Sequence, residues 1–409
     1  NKMKHTKLFI SLTAVFSVLI FIAVFLIVWF AGDSYPDLRK NFRKEFSIPG
    51  LDEGAVPQGM GVYQADDQSY FLITAYMTDK SPSRIYVTGS ADGYLGYVTM
   101  KNPDGEHTDY YGHCGGIATN GNTLWVTSES TVYVAKASEQ YREKGKNIIH
   151  EIVDKASGKF LDGATNFEKK IAFTSSFKAN CGADFCYYYD NPNTSSVGYD
   201  KLYVGEFYRK GNWETDTTHR LTTPNGYKNT ALMYEYSIDN GSEYGVQKLL
   251  DDNVAEANRV PKIQKIYSIP EKIQGIAFSG RTSSSNNGTL VLSQSYGLKN
   301  SALICFDWNK VNASENGKSF SSVAGVNFAY DGVTTKTGNN YTDKSLQVFF
   351  VDMNDKQALT NIYDVPSMSE GMCTLNNRVY VLFECACKKY RLYTREKLKD
   401  VYSVLPYSK

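Results

Sequence analysis

Polarity divides the chain into two unequal parts. Leu8–Ala31 is predominantly apolar and contains no charged residue, proline or glycine. A helix of about 20 apolar residues, rising ~1.5 Å per residue, crosses a bilayer, so this run predicts a transmembrane helix. It is longer than the ~7–15-residue apolar core of a secretory signal and lacks a small-residue cleavage site after it, which reads as an uncleaved signal-anchor. Lys2, Lys4 and Lys7 precede the run and Asp33 and Asp37 follow it, which favours an internal amino terminus. The expected order is a short cytoplasmic tail (1–7), the anchor (8–31) and a juxtamembrane linker (32–41). An extracytoplasmic domain (42–409) then stands on the outer face of the cell membrane.

After the anchor the pattern changes to short apolar stretches separated by polar turns. A diverged repeat runs through them: a polar residue and glycine, two small or apolar residues, a turn, then a strand ending in polar residues. Gln58-Gly59-Met60-Gly61 leads to Tyr70–Tyr76, and Gly115-Gly116-Ile117-Ala118 leads to Leu124–Glu129. A weaker copy pairs Ala183-Asp184-Phe185-Cys186 with Leu202–Phe207. Gln274-Gly275-Ile276-Ala277 leads to Leu290–Ser295, and Glu370-Gly371-Met372-Cys373 to Val379–Glu384. Asn120-Gly121 and Asn376-Asn377 fall between paired strands, where a tight hairpin needs positive φ. A second phrase, Phe46–Pro49, Tyr267–Pro270 and Tyr363–Pro366, precedes three of the units. Proline cannot donate to a ladder, so it suits the end of an outer strand passing to the next inner one.

Repeats of this size stack into propellers or solenoids. The pattern predicts an all-β fold, a β-propeller of five blades, with room for a sixth within 211–270 or 309–360. In the fourth unit the expected strands are Gln274–Ser279, Leu290–Ser295, Ser301–Phe306 and Leu359–Val365. The last unit has an inner pair and Tyr390–Thr394, then no strong outer strand. Phe42–Ile48 is an orphan ahead of the first unit; placed as the last blade's outer strand it closes the ring and removes the free edge. Ala137–Ser157 reads as a helical insertion, and Gly211–Lys228 and Trp308–Lys344 as long loops.

The fourth unit, Gln274-Gly275-Ile276-Ala277-Phe278 … Ser293-Gln294-Ser295-Tyr296-Gly297 … Asn300-Ser301-Ala302-Leu303 … Asp307, resembles the blades of plant-type glutaminyl-peptide cyclotransferases, which are five-bladed propellers. The last, Glu370-Gly371-Met372 … Val379–Ala386, is similar to the closing phrase of uncharacterised secreted bacterial propellers. The resemblance implies the fold. Leu292 or Ser293 stands where the cyclotransferase phrase has its glutamate, so that activity is not carried over.

Composition and chemistry narrow the picture further. A net charge of +1 gives no general electrostatic case for nucleic acid. Of the seven cysteines, Cys181 and Cys186 are spaced to close a small loop, and Cys385 and Cys387 would share a face of a strand. In a propeller the inner strands line an axial channel. Gln58, Gln274 and Glu370 lead their units and are expected near one channel mouth. Glu129, Glu206, Gln294 and Glu384 end second strands and are expected beside them. Such a ring suits a polar ligand or calcium, which takes roughly 6–8 oxygen ligands. The same groups are equally what blade junctions need as hydrogen-bond partners. In the polar segment Asp104–Cys114, His113 is the candidate metal ligand with Glu370, or an acid and base in its own right. Tyr187–Tyr189 suit either ligand contact or cross-strand packing. No nucleophile elbow, phosphate loop or zinc-hydrolase signature is present. The primary reading is a binding module for a cell-wall component, peptide or protein partner. The alternative is a metal-assisted hydrolase, lactonase or transferase at the channel.

Overall fold

The computed structural model describes residues 15–24 and 35–406, apart from 66, 160, 162–167, 180–181, 191–199, 250–259, 281–287, 314–315 and 320–345. The body is a mainly-β, five-bladed propeller. Its five sheets are each led by an inner strand: Ala55–Gln64, Gly116–Thr119, Phe185–Tyr189, Ile273–Ser279 and Ser369–Leu375. These strands pack in sequence order around one axis, the fifth against the first. We number the blades one to five accordingly. No sixth blade occurs among the described residues.

The middle strands explain why a blade reads as continuous apolar sequence. Side chains alternate between faces along a strand, and each face of a blade meets a neighbouring blade. In Thr123–Ser128, Leu124 and Val126 join a core shared with blade one, while Trp125 points into the core shared with blade three. In blade four Leu290 and Leu292 face blade three, and Val291 faces blade five. Five such layers, one per blade junction, hold the ring.

Blade five is built from both ends of the described body. Its strands run Ser369–Leu375, Arg378–Phe383, Asp400–Val404 and finally Phe42–Ser47, which pairs antiparallel with Asp400–Val404. The third strand is thus Asp400–Val404 and not the expected Tyr390–Thr394, which lies in a turn. Its sequence, with Lys399 and Asp400 at the head, hides a short strand behind a charged lead-in. The Ile/Val-Pro phrases end the outer strands of blades five, three and four, as the proline argument requires.

The surplus residues cover edges. Lys170–Ala172 adds a parallel strand outside blade one, and Gln347–Phe350 with Gly317–Ser319 extends blade three. Both shield outer strands that would otherwise present unpaired backbone groups. The 137–157 insertion forms helices Glu139–Glu143 and Ile148–Ser157. Asn147 caps the second by accepting from the Ile149 and His150 amides, and Ile148, Ile149, Ile152 and Ala156 bury its apolar stripe in the core of blades one and two. Of the expected linker, Pro36–Asn41 is a short helix whose Asp37 accepts from the Asp364 amide of blade four at 3.1 Å. Residues 15–24 are helical and exposed; the rest of Leu8–Ala31 lies outside the described residues. Among the described residues no helix is long and apolar enough to cross a membrane.

Backbone meets backbone at the axis. A Cβ on Gly371 would lie 2.5 Å from the Met60 nitrogen and 2.8 Å from the Gln58 carbonyl oxygen. We therefore expect Gly371→Ala to lower unfolding free energy by ~1–3 kcal/mol. Gly105→Ala, where nothing stands within 4 Å, is expected to change it by less than ~0.5 kcal/mol. Denaturant titration of the two variants checks this.

Candidate functional site at the channel mouth

Inner strands begin, and second strands end, on the same face of the ring. That face carries a cavity of about 1020 Å³. Gln58, Glu129, Glu206, Gln274, Glu370 and Glu384 all line it, as does His113. Gln294 does not. Its amide donates to the Glu271 carbonyl at 2.9 Å, and its neighbour Ser295 faces the cavity instead. A one-residue shift moves a strand side chain to the other face. Gln294 is the last residue of its strand Thr289–Gln294, whereas Glu129, Glu206 and Glu384 each stand one place beyond theirs, so Ser295 is their counterpart.

Two residues absent from the sequence-level set join the site. Asp184 directly precedes Phe185, whose backbone meets Gly116 as Gly116 meets Gly59. It therefore holds in blade three the place of Gln58, Gln274 and Glu370, one position later than the repeat as aligned from the sequence. His219 comes from the 3-10 turn Thr217–His219 in the long 211–228 loop, where no pattern marked it.

The buried polar groups form two sets. In the first, Gln58 donates to Glu384 at 2.9 Å, Glu384 and Glu370 share a hydrogen bond, and Gln274 donates to Glu370 at 3.4 Å. This amide–carboxyl–carboxyl–amide row crosses blades one, five and four. Burial and the adjacent Glu384 charge hold the Glu370 carboxyl protonated well above the usual range. Burial likewise lifts Glu384 to about 7, against hydrogen bonding from Gln58 and the charge of Lys389. In the second set Glu206 accepts from the Leu232 amide at 2.7 Å, the Gly182 amide at 3.2 Å and His219 Nδ1 at 3.0 Å. Asp184 accepts from the Phe207 amide at 2.6 Å, and burial raises its pKa to about 7. Burial opposes charge on His219, yet its bond to Glu206 prevails and raises its pKa. His113 is stacked on Tyr76, and burial, with Lys389 nearby, lowers its pKa.

These contacts set what the site offers. Its deep carboxyls hold blades together, and at neutral pH part of them is protonated and able to donate. Glu129, at a positive φ of 58° after its strand, is exposed into the cavity. Aromatic rings stand around the rim: Tyr76, Phe207, Tyr296, Tyr390 and Trp213, the last 54% exposed.

No protein-family model matches the chain, and no curated protein matches it. Among solved structures, a GH43_1 enzyme from Xanthomonas citri is similar at a TM-score of 0.40 and 10% identity, covering 88% of this chain and 90% of that one. The GH43_1 enzyme from Xanthomonas citri complexed with xylose is similar at a TM-score of 0.38 and 10% identity, with the same coverage. Likeness at that level transfers no activity.

His113 and Glu370 share the cavity, but among the described residues no three His, Cys, Asp or Glu side chains converge as metal ligands. Elsewhere in the 104–114 segment, Asp104 accepts from the Thr108 amide at 2.9 Å, and Asp109 pairs with Lys170 at 3.2 Å. Cys181 lies outside the described residues, and the other six cysteines are buried free thiols. Cys385 and Cys387 sit in a turn after their strand, not on it. Tyr187 and Tyr189 pack on Phe278 beside a smaller cavity of about 550 Å³ at the opposite mouth.

A carboxyl whose pKa is raised by folding binds its proton more tightly folded than unfolded, so stability falls as pH rises between the two values. For Glu384 that window runs from its ordinary 4.5 to about 7. His219, also raised, acts in the same direction at higher pH; His113, lowered, acts oppositely. Glu384→Gln is expected to flatten the decline between about pH 4.5 and 7 relative to the unsubstituted chain. Urea midpoints measured across that range provide the check.

Proposed function

We propose that this protein is a membrane-anchored, extracytoplasmic binding module whose channel-mouth cavity takes a polar cell-surface ligand, a glycan or a peptide. The observation that carries this reading is the pairing of a hydrogen-bonded interior with an open rim. The buried carboxyls already hydrogen-bond to backbone amides and to neighbouring blades. A rigid floor of this kind presents donors and acceptors without moving. Above it, Trp213 and Glu129 are exposed into a cavity of about 1020 Å³, at the upper end of the range that binds small ligands. Aromatic faces beside hydrogen-bonding groups suit sugar rings and peptide side chains alike. Membrane attachment rests on Leu8–Ala31 and its charge flanks.

A hydrolase or transferase is the second reading. Glu384 and Asp184, both with pKa values raised to about 7, stand in one cavity, and perturbed carboxyls of this kind serve acid–base chemistry. Their engagement in junction hydrogen bonds favours the binding role.

Titrating cell-wall glycans and short peptides by calorimetry tests the proposal. The expected result is saturable binding that Trp213→Ala weakens at least about tenfold. Unchanged affinity in Trp213→Ala would place the ligand elsewhere, and no binding across the panel would end the reading.

A further inference from the structure

The turn at 384–399 joins the second and third strands of blade five on the cavity face. It carries Leu392 at 84% and Tyr393 at 65% exposure, among the largest exposures of any apolar side chain described. Residues 388–399 contain six basic residues and one acidic residue, in a chain whose net charge is only +1. Arg391 is paired with Asp52 at 2.6 Å, and Lys389 donates to the Tyr76 hydroxyl at 2.8 Å. Among the described residues no carboxylate pairs with Lys388, Lys397 or Lys399. An aliphatic–aromatic tip within a basic collar is the chemistry that enters the headgroup region of an anionic bilayer.

The chain's own path supports that occupant. Tyr35 is buried, and its hydroxyl donates to Asn300 at 2.9 Å, in the loop of blade four on the same face. Arg395 and Glu396 of the turn are near enough to act on the Tyr35 phenol. The apolar run ends at Ala31, four positions before Tyr35. Four residues reach at most ~14 Å. A bilayer spanned by that run therefore lies against the very edge that displays Leu392 and Tyr393.

We propose that the 384–399 turn docks on the anionic lipid surface of the membrane that holds the anchor, with Leu392 and Tyr393 at headgroup depth and the lysines on lipid phosphates and carboxylates. The proposal rests on the membrane-anchored reading. It fixes the propeller's orientation, with blades four and five toward the lipid and the cavity rim beside it.

The full chain is reconstituted into nanodiscs of phosphatidylcholine alone or with about 30 mol % phosphatidylserine. A fluorophore is placed at Leu392→Cys or, on the opposite face, at Ala91→Cys, and nitroxide lipids report proximity. Labelling of the unsubstituted chain, whose described thiols are buried, sets the background. Expected is quenching at position 392 at least about fivefold above that at 91 in anionic discs. It should fall toward the level at 91 in about 0.5 M salt or with K388E, K397E and K399E combined. If the chain enters discs but position 392 is quenched no more than 91, docking is overturned while the anchor stands, and the turn belongs to solvent or a protein partner. If the chain does not enter discs, anchor and docking fall together.

Discussion

Five strands can meet around one axis only if their backbones touch. That constraint governs the centre of this protein. Where Gly371 passes Met60 and Gln58 there is no room for a side chain, and Gly59 stands equally close to Gly116. The polar residues that precede these glycines are drawn inward with the strands and lose water. Each must find a partner in a neighbouring blade or in a backbone amide. The row from Gln58 through Glu384 and Glu370 to Gln274 is the result, and it bridges the blade that the amino-terminal strand completes.

The same compression accounts for the raised pKa values. An ionised carboxylate held away from water is costly, and two adjacent ones cost more. Glu370 and Glu384 resolve this by keeping a proton between them, while Asp184 relies on the Phe207 amide. Junction chemistry and site chemistry are therefore one set of residues seen from two sides. From below they join blades; from above they form the floor of a cavity whose rim is aromatic and open.

Much of the architecture was legible because it is periodic. The glycine-led phrases, the Ile/Val-Pro strand ends and the orphan at Phe42 each follow from a backbone requirement that leaves few residue choices. Six of the seven channel candidates line the cavity for the same reason: their register is set by the repeat. Gln294 escaped because it ends its strand while Glu129, Glu206 and Glu384 stand one place beyond theirs, and a one-residue offset reverses a side chain. Asp184 was obscured by the weakest copy of the repeat, where Phe185 stands in the place of the glycine. Asp400–Val404 was missed because the long 384–399 turn and its charged lead-in separate it from its partner strand Arg378–Phe383. His219 reaches the site from a loop, and loop paths follow tertiary contacts that a period cannot foretell.

The entry of the chain at Tyr35 has a mechanical meaning. Tension applied from the amino-terminal side would not peel Phe42–Ser47 from its partner directly. It would first meet the Tyr35–Asn300 bond and the Asp37 contact with Asp364, both on blade four. The load is thus handed to a complete blade before it reaches the strand that closes the ring. A propeller sealed by the strand Phe42–Ser47 is vulnerable to being unbuttoned by a pull on the residues before it, and this short helix is where such a force is diverted.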